Sequence, residues 1–179
     1  MSESALLRAV RDQLRASPVS YTNAQCEIEL DTDELPAAVG DKYIAVLPAG
    51  WVEGPEHRSG GVKDYIYSID VAVILRSTRL PRDRKRDTLY ATLSGLNYEI
   101  NRISNQIDFK YAVNTAANVI ILADESSSEG FIEPLGVASV DAKPTPVPSE
   151  WFAGVAGEPQ AGLMRVIHFH GARRIVTRT

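Results

Sequence analysis

Cysteine is almost missing from this sequence of 179 residues: Cys26 stands alone, which excludes a disulfide within the chain and makes a reducing compartment the simpler expectation. Long apolar runs are missing too. No stretch approaches the roughly 18 apolar residues that a membrane-crossing helix needs, so no membrane partner is expected. The first residues, Met-Ser-Glu-Ser-Ala-Leu-Leu-Arg, carry acid where a secretory leader carries base, and no apolar core follows them. There is no G-x-S-x-G, no glycine-rich phosphate loop, no G-x-G-x-x-G and no CxxC pair, so no motif points to a nucleophile, a nucleotide or another cofactor. A net charge of −4 argues against binding nucleic acid over the whole surface.

What is present reads as one globular domain over residues 1–179. Apolar residues make up 44% and charged residues 23%, enough for a chain of this length to bury about two-thirds of its unfolded surface. Leu6, Leu7, Val10 and Leu14 recur on one face of a first helix, with Ser2 or Ser4 as its cap and Ser17-Pro18 as its stop. The stripe is narrow, which suits a helix packed along an edge of the fold. Cys26 to Leu30 is a short alternating segment, and Tyr43 to Leu47 a clearer strand closed by Pro48. Trp51 to Gly61, rich in glycine, reads as an exposed loop.

From Tyr65 to Leu75 every odd position is apolar, while Ser68, Asp70 and Ala72 fall between them. That alternation predicts a long strand with one face in a core. The period then changes. Leu89, Leu93, Leu96, Ile100 and Ile103 predict a helix over about 82–104 lying across the sheet, with Gly95 marking a close approach. Residues 112–123 fit either a second packed helix or a buried strand. Segment 124–160, with its serine run and its prolines, reads as a loop-rich insertion in the C-terminal half. Within it Phe131 to Val140 is a weak strand and Lys143 to Pro148 an extended connector. Leu163 to Phe169 is the last good strand, with Gly171 as a turn after it. The expected class is α+β, a mostly antiparallel sheet with an N-terminal helix and one or two helices packed on it.

Three features bear on chemistry. His168 and His170 share one face of a strand, as two ligands of a zinc or iron ion would, but the spacing indicates no third ligand. Cys26 lies beside Glu27 and Glu29, which raise a thiol pKa, and is expected to be a small strand residue. Arg76, Arg79, Arg82, Arg84, Lys85 and Arg86 gather where strand hands over to helix, opposed only by Asp83. Positive charge at a helix N-terminus works against the macrodipole, so an external anionic partner is one explanation and a solvated loop the other. The partner would be nucleic-acid phosphate or the acidic run Glu27, Glu29, Asp31, Asp33, Glu34 and Asp41 on another copy of the chain, as in a head-to-tail ring.

The order of elements resembles the tail-terminator family of long-tailed bacteriophages and related neck proteins. The resemblance is carried by Leu6 to Val10, Ile69 to Leu75, Asp87 to Leu93 and Gly162 to Phe169, and it rests on element order through most of the chain rather than on an invariant motif. It implies a virion protein without catalytic activity, assembled in the host cytoplasm into a homohexameric ring. Such a ring caps the tail tube, docks the tail to a head connector or neck protein, and makes passing contact with genomic DNA. Members are often shorter, and segment 124–160 carries the excess, as a decoration or an arm. Two alternatives stand beside it: another head-completion connector, and a small metal-dependent enzyme using His168 and His170.

Overall fold

The computed structural model describes residues 2–16, 21–36, 39–54, 62–77, 85–106, 131–133, 135–152 and 161–177. Its frame is a seven-stranded sheet with helices on one face, a single α+β domain as the patterning predicts. The strands are β1 (Cys26–Ile28), β2 (Lys42–Glu53), β3 (Val62–Ser77), β4 (Phe131–Glu133), β5 (Gly136–Val140), β6 (Thr145–Val147) and β7 (Ala161–Thr177). The order across the sheet is β1, β2, β3, β7, and then β4, β5 and β6, which lie one after another along the outer side of β7. Among these strands β1 pairs with β2 in parallel and the other pairings are antiparallel.

Helix α1 (Ser2–Ala16) opens at Ser2, so Ser4 lies inside its first turn rather than at the cap. Its predicted stripe holds: Leu6, Leu7, Val10 and Leu14 are all buried. They pack over β1 and β2, the edge of the sheet, as the narrow stripe requires. Helix α2 (Lys85–Gln106) lies over β3 and β7. Leu96, Ile100 and Ile103 join α1 and the odd-numbered residues Tyr67, Ile69, Val71 and Val73 of β3 in the main core. Each such side chain contributes about 1.5–3 kcal/mol on burial.

Gly95 does not mark a forced approach. A Cβ there would lie 3.4 Å from Leu75 Cδ1, at the near edge of ordinary contact with a flexible side chain. Gly95→Ala is therefore expected to raise stability by about 0.5–1 kcal/mol, since it removes backbone freedom from the unfolded chain at little steric cost. A shift of the urea midpoint to higher concentration at unchanged slope is the result to look for; a lower midpoint would mean that Leu75 cannot yield.

The opposite face of the sheet is covered as well. Leu35, Val39, Val147 and Phe152 close over Tyr43, Ala45, Leu47, Ala72 and Ile74. The small side chains of Ala45 and Ala72 let irregular chain approach there. The Val39 N–H donates to the Trp151 carbonyl at 2.7 Å, which stitches the two covering segments together.

Several expectations need correction. Strand β2 does not close at Pro48, and Trp51 to Glu53 belong to it rather than to a loop. The Ile44 N–H and the Val46 carbonyl point toward β1, so the Pro48 nitrogen, two residues on, also points outward, past the end of β1, where no donor is needed. Lys143 to Pro148 is not a bare connector: Thr145 to Val147 pair with Met164, Leu163 and Gly162 of β7. Gly171 is not a turn, because β7 runs on to Thr177.

It is instead one of two bulges at a single level. On one side of β3, Ala49 and Gly50 stand against Ser68, with Gly50 at φ 91°, which only glycine adopts without strain. On the other side Gly171 is the extra residue between the pairs Tyr67–Ala172 and Ser68–His170. Coincident bulges bend and twist a sheet. Beyond them β2, β3 and β7 continue past the end of β1 as a ribbon that β4 joins along the outer side of β7. Within segment 124–160 the described residues form β4, β5 and β6 and bury Leu135, Val147 and Phe152 in the fold. Residues 112–123 lie outside the described residues.

Candidate functional site

His168 and His170 are the most metal-like pair in the sequence. His168 lies on the sheet face opposite the helices, since its neighbours Ile167 and Phe169 point into the main core. In register it stands directly beside Asp70 of β3 on one side and Ser139 of β5 on the other. Its Nδ1 lies 2.8 Å from Asp70 Oδ1 and its Nε2 lies 3.0 Å from Asp141 Oδ1. With a carboxylate on each ring nitrogen, the form that satisfies both is the imidazolium, donating twice. The hydrogen bond to Asp141 raises the pKa most; partial burial lowers it, and the bond to Asp70 and the charge of both carboxylates raise it again, for a net increase over 6.5. The two carboxylates sit at opposite edges of the ring and cannot converge on one ion. Among the described residues no group of three or more His, Cys, Asp or Glu side chains is placed to hold a metal. The side chain of His170 lies outside the described residues.

Cys26 is fully buried beneath α1, and burial pushes its thiol up to about 12, with Arg15 opposing the shift. It is a strand residue, as the sequence suggests, and lies in the core; its carbonyl anchors the helix, with Arg15 donating to it from Nε at 2.9 Å and from Nη2 at 2.6 Å.

The acidic run is partly spent inside the chain. Glu27 takes Arg11 Nη1 at 3.2 Å and Arg15 Nη2 at 2.8 Å, joining β1 to α1. Burial pushes the Glu27 pKa up, but the Ile28 N–H and the two guanidinium groups outweigh it and hold the carboxyl below its ordinary value. Glu29 accepts from the Tyr43 hydroxyl, whose own pKa is raised by burial and by that carboxylate. Asp31 caps a short 3-10 turn, accepting the Asp33 N–H at 3.4 Å, while Asp33 and Glu34 are exposed on that turn. Of the basic cluster, Arg76 is paired with Asp41 of its own chain, both by its side chain and by its N–H to the Asp41 carbonyl at 2.8 Å. Arg79, Arg82 and Arg84 lie outside the described residues, as do the side chains of Lys85 and Arg86, whose backbone forms the first turn of α2. Glu27, Glu29, Asp41 and Arg76 thus have partners within the chain, while Asp31, Asp33 and Glu34 are exposed.

Two groupings that the sequence did not suggest are also present. Tyr21, Lys42, Glu99 and Arg102 form a buried polar cluster under α2. Arg102 Nη2 lies 2.7 Å and Lys42 Nζ 3.2 Å from the Glu99 carboxylate, and Tyr21 donates its hydroxyl proton to the same group. Both cations also lie over the Tyr21 ring, at 4.6 Å for Lys42 and 5.0 Å for Arg102. The second grouping is on the ribbon. Trp51 packs edge-on against Tyr65 with ring centres 5.2 Å apart, yet Trp51 remains 51% and Val52 60% exposed. The outer edge of β2 beyond Pro48 has no paired strand among the described residues. No helix among the described residues is long and apolar enough to cross a membrane. No protein-family model matches the chain, and no curated protein matches it significantly.

Proposed function

We propose that the chain is a structural subunit that assembles with further copies of itself, in the manner of a phage tail terminator: a ring, hexameric in the family it resembles, capping a tail tube and docking it to the head. One observation carries the reading. Beyond its bulge β2 presents Trp51 and Val52 to solvent, and its outer edge there is unpaired among the described residues. Exposed apolar edges invite strand addition and are normally blunted unless something occupies them. A neighbouring subunit is the natural occupant, and the outward Asp31, Asp33 and Glu34 are available to the basic stretch 79–86 of the next copy.

The test uses assembly on purified tail tubes. Trp51→Arg combined with Val52→Lys is expected to leave the fold intact at a cost of about 0.5–1.5 kcal/mol, the size of the lost ring contact between Trp51 and Tyr65. The same protein should fail to form rings or capped tubes. Normal rings from this variant would remove the ribbon from the interface, and a single copy per tube would remove the ring. A neck connector differs in its target: it would bind the head portal and ignore tube ends. Stoichiometric zinc or iron in untagged protein would favour the enzyme reading instead.

A further inference from the structure

The geometry points to His168 as a proton-operated latch that ties the strap of residues 136–152 across β7 to the centre of the sheet. The strap holds β5 and β6 and then covers the second face through Val147 and Phe152. It meets β7 through ladder bonds, and among the described residues its side-chain tie to β3 at this level runs through one imidazole, with Asp70 on the sheet side and Asp141 on the strap side.

The logic follows from the donor count. A protonated ring has two N–H groups and satisfies both carboxylates; a neutral ring has one, so one aspartate loses its donor. Asp70 and Asp141 would then face each other across an uncharged ring, with repulsion and one unmade bond. Arg165 points to the helix face, where its Nε donates to the Asp141 carbonyl at 2.7 Å and its Nη1 to Asn97 at 2.7 Å. It therefore steadies the backbone of Asp141 but leaves its carboxylate to His168. The elements that cover this face beside β7 bring Val147, Trp151 and Phe152, which are apolar.

The sign follows from linkage. The folded pKa of His168 lies above the ordinary 6.5, so the latch contributes fully below that value and is lost as pH rises through the folded one. The strap is thus closed in mildly acidic solution and loosened in alkaline solution, whatever the chain assembles with.

Hydrogen exchange read by mass spectrometry on peptides from 136–152, corrected for intrinsic rates, tests this between about pH 6 and about pH 9. Protection of the strap is expected to fall by about fivefold over that range relative to peptides from α1, the size of one charge-assisted bond at a half-exposed site. His168→Gln should show the loosened level throughout and no relative pH response. Nuclear magnetic resonance titration of the wild-type ring needs no variant: the midpoint should lie above 6.5, and Asp141→Asn should lower it. A strap response equal in wild type and His168→Gln overturns the latch, and so does a His168 midpoint at or below 6.5.

Discussion

Replacing Glu99 by alanine is expected to destabilise the fold by about 3–5 kcal/mol, the usual cost of removing one member of a buried ion pair. Glu99 is 7% exposed on the inner face of α2 and is the single anion of its cluster. Arg102 and Lys42 bind its two oxygens while both lie over the Tyr21 ring. Without the carboxylate two cations remain together over the Tyr21 ring in a site with little water, with no anion of the cluster to offset them. Burial alone already lowers the pKa of Arg102, which shows the direction of the strain that Glu99 offsets. The Tyr21 hydroxyl loses its acceptor in the same step. Glu99→Gln keeps the shape and one acceptor and should cost less. Removing both charges with Glu99→Leu and Arg102→Leu should recover much of the loss, because apolar replacements of whole buried pairs are often near neutral. Urea unfolding at constant slope reads all three. A loss below about 1 kcal/mol for the alanine variant would mean that water reaches the cluster and screens it.

The cluster also marks where the sequence could have been read further. Thr92, Leu96, Glu99 and Ile103 are spaced four, three and four apart, so Glu99 lies in the apolar stripe of α2, and a charge inside such a stripe demands a partner. That stripe and the alternation from Tyr65 to Leu75 were legible because each depends only on local period. The run of β2 past Pro48 and the pairing of Thr145 to Val147 were not. Proline and glycine usually punctuate chain, and only the tertiary position of those strands, at an edge and at a bulge, makes them tolerable. The pairing of His168 with two aspartates was hidden for a different reason. Register between β3 and β7, about a hundred residues apart in sequence, is not written in either strand alone. Asp70 falls among the even positions of the long strand, between the apolar odd ones. It took the structure to show that its partner is His168, and that the histidine's second nitrogen is satisfied by Asp141 rather than left for a metal.

Gly162→Ala is expected to cost about 1–3 kcal/mol, and the loss should depend on the residue at 152. Gly162 sits in β7 between Arg76 of β3 and Val147 of β6, and the Phe152 ring lies directly against it. A Cβ at 162 would come within 2.3 Å of Phe152 Cζ and 2.5 Å of its Cε2, and 3.0 Å from the Leu75 carbonyl oxygen. The ring would have to leave its place, and it cannot do so freely. Phe152 is 3% exposed beside Val39 and Val147, and the chain at 151 is held by the bond from the Val39 N–H. Phe152→Ala alone should cost about 3–5 kcal/mol, because it opens a cavity over Ala72 and Ile74. The double variant Gly162→Ala with Phe152→Leu should be more stable than the separate losses of Gly162→Ala and Phe152→Leu predict, since leucine frees the volume that the new methyl needs. That coupling, expected at about 1–2 kcal/mol, is what a double-mutant cycle measures. Additive losses would show that the ring does not rest on Gly162. Because Phe152 closes the far end of the strap that His168 ties at its middle, the Gly162→Ala variant should also raise exchange in residues 145–152 while leaving α1 unchanged. Loss confined to the Leu75 side would instead trace the clash to the β3 backbone.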